Sequence, residues 1–179
     1  MQRETLNEDV QREQMPGTRR GHNMITDLNV LLAQEKELQF EHFSHQTAWL
    51  LGTLIKQKAE LREAAVAIDI TLNGHCLFSY AMAGTSPDNQ HWIARKRNVV
   101  DRYRHSSWYM GQYYKAKGKT IEQASLVDAK QFAPFGGSFP LTIKNVGVVG
   151  SVTVSGLPQY EDHVLVVESI QTLLSQQAQ

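Results

Sequence analysis

Cationic side chains crowd one stretch of the chain. Arg95, Lys96, Arg97, Arg102, Arg104, Lys115, Lys117 and Lys119 are eight of its 18 lysines and arginines, and only Asp101 stands among them. Such a cluster suits a small anion, a phosphate or a carboxylate such as a haem propionate. The competing account is a solvated helix face with local ion pairs. Seven histidines supply the next chemistry: His22, His42, His45, His75, His91, His105 and His163. His42 and His45 have a chelating gap, but it straddles a strand end and a helix cap. His91 and His105 would lie about 20 Å apart along a straight helix, too far to share a metal. No set has the spacing of a zinc or di-iron site. A lone axial ligand to haem iron needs only one imidazole, so any single histidine could serve; the alternative for each is a structural or surface role.

Asp162-His163 joins an acid to an imidazole, the types a general base requires. Neighbours on a helix point about 100° apart, so the two would not bond each other. The alternative is an acid that complements the helix dipole beside a buried, satisfied histidine. Gly136-Gly137 lie in a loop, Gly150 leaves one strand position without a side chain and so permits close approach of a ligand or another backbone, and Ser155-Gly156 before Pro158 could aim N–H groups at an anion; the alternative is a turn or bulge role. Neither a GxxxxGK[ST] nor a post-strand GxGxxG is present. Cys76 reads as a buried, inert strand thiol. Ser106-Ser107 has no identifiable base, and GxSxG is absent.

The elements that must position these groups follow from periodicity. Leu28, Leu31 and Leu32 predict a helix over 25–36. Leu38, Phe40 and His42 alternate as a short strand, and Ser44 caps a helix to about Leu61. Val66–Leu72 alternates cleanly. Asn73-Gly74 then sets a type I′ turn into a return strand to about Ala83, with both faces expected to be covered. Ser86-Pro87-Asp88 starts a helix to about Arg104, and Ser106-Ser107 caps an aromatic-rich helix through Tyr114. A second hairpin pairs 139–144 with 148–155. The last helix starts near Pro158 and buries His163, Val166, Val167, Ile170, Leu173 and Leu174. The expected fold is α/β, a single antiparallel sheet of about five strands flanked by helices.

Length and charge bound the class. A chain of 179 residues fits one domain, here 24–179 behind a polar extension over 1–23. Eighteen basic and 18 acidic residues balance, which argues against a nucleic-acid binder. A single cysteine excludes an internal disulfide. No apolar run approaches the ~18 residues of a membrane span, and the polar start makes the cytoplasm the expected compartment.

Four phrases occur together: AVAIDITLNGHCLFSYAMAGTSPDNQHWIARKRNVV over 65–100, SS at 106–107, GGSFPL over 136–141 and VGSVTVSGLPQYEDH over 149–163. The combination resembles a small UPF-type family within the haem-degrading domain group, beside GlcG-like and HbpS-like proteins. The likeness spans about 25–175. It implies a profilin-like fold, homo-oligomers built from dimers, and a haem or other small anionic ligand. It implies a cleft lined by Asp88, Trp92, Lys96, Arg97, Ser106, Ser107, Gly136, Gly137 and Gly156. On that reading Lys96 or Arg97 pairs with carboxylates, Trp92 stacks and His105 or His163 approaches iron. Two other readings stand beside it: a non-catalytic assembly module, and an enzyme on a small carboxylate with Asp162 or His163 as base. Relatives commonly carry histidine before the glycine pair, where this chain has Phe135.

Overall fold

The structure is a computed structural model that describes residues 23–178, so all but the last residue of the polar extension lies outside it. Among the described residues six helices and four strands follow in order: α1 (Leu28–Glu37), α2 (His45–Leu61), β1 (Ala67–Leu72), β2 (His75–Ala81), α3 (Pro87–Tyr103), α4 (Ser107–Ala116), α5 (Ile121–Ser125), β3 (Ser138–Ile143), β4 (Gly147–Ser155) and α6 (Gln159–Gln177). Among the described residues, no helix is long and apolar enough to cross a membrane.

The strands form one antiparallel sheet in the order β2-β1-β4-β3. Asn73 and Gly74 both take positive φ, 50° and 79°, as the primed turn between β1 and β2 requires. Strand alternation splits the sheet into two unlike faces. Ile68, Ile70, Phe139, Leu141, Val152 and Val154 enter the main core with Leu51, Ile55, Leu165 and Ile170 of α2 and α6. Asp69, Thr71, Ser138, Ser151, Thr153 and Ser155 occupy the alternate positions and are also buried; their side is where α3 packs. Each fully buried isoleucine or leucine contributes about 1.5–3 kcal/mol. A one-residue slip would put Asp69 and Thr71 into that core, so the register is strongly specified. Gly150 lets β1 lie close, since a Cβ there would stand 2.0 Å from the Thr71 carbonyl oxygen. A second apolar cluster gathers Leu31, Val99, Trp108, Tyr109, Met110, Tyr114, Ile121 and Tyr160 around α4.

Three expectations need correction. The segment 38–42 adds no fifth strand: Phe40 alone makes a parallel bridge to Ile143 before α2 begins. The apolar alternation there anchors one side chain, not a ladder. Second, β2 is not covered on both faces; only Leu77 and Phe78 are partly buried. It pairs with β1 alone at the sheet edge, and its main cover is α2, where Gly52 leaves room for the Phe78 ring. Third, Cys76 sits on that edge strand and is therefore exposed.

Candidate functional site

Lys96 and Asp162 lie far apart in sequence and meet in the interior. The inward face of α3 presents Ile93, Lys96, Val99 and Val100, while Asp162 occupies the first turn of α6. Lys96 Nζ donates to Asp162 Oδ2 at 2.9 Å and to the Val154 carbonyl oxygen at 3.3 Å. Asp162 Oδ1 accepts the Leu157 N–H at 3.0 Å. Both side chains are 5 % exposed or less. Burial pushes the Asp162 carboxyl up to about 6, against the opposing pull of Lys96 and of the Leu157 and Gly156 N–H groups. Gly137 closes the arrangement at φ 127°; a Cβ there would stand 2.8 Å from Lys96 Nζ and 2.5 Å from the Val154 carbonyl oxygen. The β4 end, the glycine loop and two helices are thus tied through one ion pair.

The residues around this pair make a rim at the α3 N-terminus. Asn89 donates to the Ser155 carbonyl oxygen at 3.3 Å, and its own carbonyl accepts the Ser86 N–H. Trp92 Nε1 donates to Asp88 Oδ2 at 3.1 Å. The Arg95 guanidinium lies 3.9 Å over the Trp92 ring, and Phe135 packs beside it with centroids 5.7 Å apart. Gly136 is buried against the Gln159 backbone, while Gly156 is exposed.

The remaining candidates lie elsewhere. Arg97 pairs at 3.2 Å with Asp69, which also accepts from Thr71 and the Cys76 thiol. Both cations nominated for an external carboxylate, Lys96 and Arg97, therefore have one within the chain. Ser107 Oγ accepts the Ser138 N–H at 3.0 Å and holds β3 to α4. His163 is 2 % exposed, and its hydrogen bond goes to another helix rather than to Asp162. Its Nε2 bonds Gln34 at 3.0 Å, and Trp108, Phe139 and Tyr160 surround the ring. Burial lowers it to about 3, so it is neutral near pH 7. Asp88, Trp92, Lys96, Gly136, Gly137, Gly156 and Asp162 are brought together; His163, Arg97, Ser106, Ser107 and His105 are not part of that rim. Two surface hollows lie away from it, one beside Lys58, Glu168 and Thr172, the other beside Val30, Ala33 and Val167.

At the other end of α3, Arg104 leaves the helix at φ 62° and His105 follows. His105 Nδ1 meets Glu35 Oε2 at 2.7 Å, and the other Glu35 oxygen accepts the Ser106 N–H at 2.7 Å. Ser106 Oγ in turn caps α4 by accepting the Tyr109 N–H. The Glu35 bond outweighs burial and raises His105 above its ordinary 6.5. A carboxylate on Nδ1 fixes that nitrogen as the donor, so neutral His105 carries its lone pair on Nε2. The side chain is 39 % exposed. Of the two histidines nominated for a haem iron, His105 is thus partly exposed with Nε2 free of the Glu35 bond, whereas the His163 ring is enclosed. Glu35 escaped the sequence reading, although it stands at the i+7 position of the Leu28–Leu31–Leu32 stripe. An acid on an inward helix stripe is the signal that reveals it.

Among the described residues no group of three or more histidine, cysteine or acidic side chains could hold a metal ion. The fold is mixed α/β, a single four-stranded antiparallel sheet flanked by helices. Residues 43–171 match the family model described as "Haem degrading protein HbpS-like", and the chain belongs to that HbpS-like family. It is 51 % identical over 143 residues to a UPF0303 protein of Streptomyces coelicolor, covering 80 % of this chain and 90 % of that one. The crystal structure of Ybr137w is similar at a TM-score of 0.79 and 37 % identity, covering 84 % and 90 % of the two chains. A structure described as a PduOC:Heme complex shares the fold at a TM-score of 0.63 and 14 % identity, covering 72 % and 93 %.

Proposed function

We propose that this chain binds an iron tetrapyrrole, haem, through His105 Nε2, on a profilin-like scaffold. The observation that carries the reading is the Glu35–His105 pair: a buried carboxylate holds Nδ1 at 2.7 Å and leaves the outer nitrogen as the ligand atom. Carboxylates on the non-ligating nitrogen orient metal-binding histidines and raise their basicity in many proteins. Membership of the HbpS-like family and likeness to a structure determined with haem support the same ligand. When bound, the iron supplies a Lewis-acidic, redox-active centre. The chain's own part is to present Nε2, fix the tautomer through Glu35 and anchor α4 through Ser106.

The rim of Lys96, Asp162 and Gly137 is part of this proposal as scaffold and not as the iron site, because its charges are already satisfied internally. We place the protein in the cytoplasm as a homo-oligomer built from dimers. The exposed edge strand β2, with Trp49 58 % and Tyr80 43 % exposed nearby, supports an assembly surface.

Haem titration followed at the Soret band tests the ligand. Wild type and His163→Ala give the ligated spectrum, and His105→Ala does not. An unchanged spectrum in His105→Ala, or a flat titration with wild type, overturns the reading in favour of a non-catalytic assembly module.

A further inference from the structure

Three side chains follow His105 at intervals of four residues: Tyr109, Tyr113 and Lys117. Residues four apart are neighbours on one helix face, and the contacts run unbroken along α4. The His105 and Tyr109 rings are 4.7 Å apart, and those of Tyr109 and Tyr113 are 6.1 Å apart and tilted by only 26°. Lys117 Nζ then lies 4.2 Å from the Tyr113 ring centroid and donates to its hydroxyl. Tyr109 is 9 % exposed, so it acts as the spacer that keeps the outer two rings in line. Tyr113 is half-buried and Lys117 exposed.

The charge at the far end is out of balance. Lys56, Lys96 and Lys144 each have a carboxylate partner, whereas Lys117, like its neighbours Lys115 and Lys119, has no ion pair among the described residues; Lys117 differs in lying against the Tyr113 ring. An ammonium has three N–H donors, and the tyrosine hydroxyl takes one. The stripe thus offers an imidazole, an aromatic surface and an unneutralised cation, in that order, along α4 and the residues that flank it.

We propose that this stripe is the bed for a flat aromatic ring that bears carboxylates, with Tyr113 stacking beneath it and Lys117 pairing with a carboxylate at its edge. The inference deepens the haem reading and rests on it for the orientation of the ligand. It assigns Lys117, not Lys96 or Arg97, as the carboxylate partner.

A probe without iron separates the two ideas, because it cannot be ligated by His105. Metal-free protoporphyrin IX and its dimethyl ester are titrated into the full chain, followed by porphyrin fluorescence. Wild type is expected to bind the diacid. Lys117→Gln weakens it roughly tenfold, the scale of one charge-assisted hydrogen bond. The same variant leaves the dimethyl ester unchanged. Equal diacid affinity in Lys117→Gln overturns the proposal, as does a wild type that binds no diacid. An equal loss in Lys119→Gln also overturns it, since that would mark diffuse attraction. A Lys117-dependent diacid without a His105-dependent Soret band sinks only the iron reading. The reverse pattern sinks only the stripe.

Discussion

Removing one partner of the Lys96–Asp162 pair should unfold the protein far more readily than removing both. At 2.9 Å and an effective dielectric near 20, the attraction is about 6 kcal/mol. Taking two ions out of water costs several kcal/mol each, so the pair as a whole nets close to zero. The carboxyl shows the imbalance directly. Raising it from 3.8 to about 6 means that keeping Asp162 ionised at pH 7 costs roughly 3 kcal/mol. That cost is present above pH 6 and is relieved as pH falls from there towards 4, because the folded state then binds the extra proton.

Lys96→Met leaves a buried carboxylate and Asp162→Asn a buried ammonium. Each should lose about 3–5 kcal/mol at pH 7, or roughly 10 °C in Tm for a chain of this length. The double variant should lie within about 1.5 kcal/mol of wild type, since neither charge remains. Below pH 6 wild type itself protonates Asp162, so the gap between it and Lys96→Met should close. Urea unfolding of the four proteins at pH 7.5 and pH 5 reads all of this as a double-mutant cycle. Additive single losses, or a Lys96→Met deficit unchanged between the two pH values, would refute the account.

Three further outcomes are expected. Gly137→Ala should destabilise by at least about 2 kcal/mol in thermal unfolding, because the residue sits at φ 127° and the new methyl meets the Val154 oxygen. The His105 titration followed by NMR should have its midpoint above 6.5 and drop towards that value in Glu35→Gln; its stabilising bond is fully present below 6.5 and fades as pH rises through the raised midpoint. Cys76 should react completely with a thiol reagent in the native protein, but slowly at pH 8, because partial desolvation at the strand surface and the Asp69 carboxylate push its thiol up. Asp69→Asn should speed that reaction, and a native protein that leaves Cys76 unlabelled would restore the buried reading.

Local chemistry made most elements legible. Ser44 and Ser106 cap the helices they precede, Asn73-Gly74 turns the first hairpin, and the α3 and α6 starts fall beside Pro87 and Pro158. These signals work because capping and turn formation involve only residues a few positions apart. The failures have one cause. Alternation over 75–83 and 38–42 says which side chains share a face, and nothing about what covers that face or whether a neighbour completes the ladder. So β2 proved an exposed edge and Phe40 a single bridge.

The site divides along the same line. Sequence alone determined which chemical groups exist: the cation cluster, the acid beside His163, the glycine pair, and the balance of charge. Tertiary structure alone decided their partners. Lys96 could be read as a solvent-facing anion binder until α3 packed on the sheet and set it 66 residues along the chain from its carboxylate. His105 gained its orienting acid from Glu35, 70 residues away. Periodicity fixes directions within an element, but the charge state and reach of a polar group depend on what another element brings against it, and that is settled only when the elements dock.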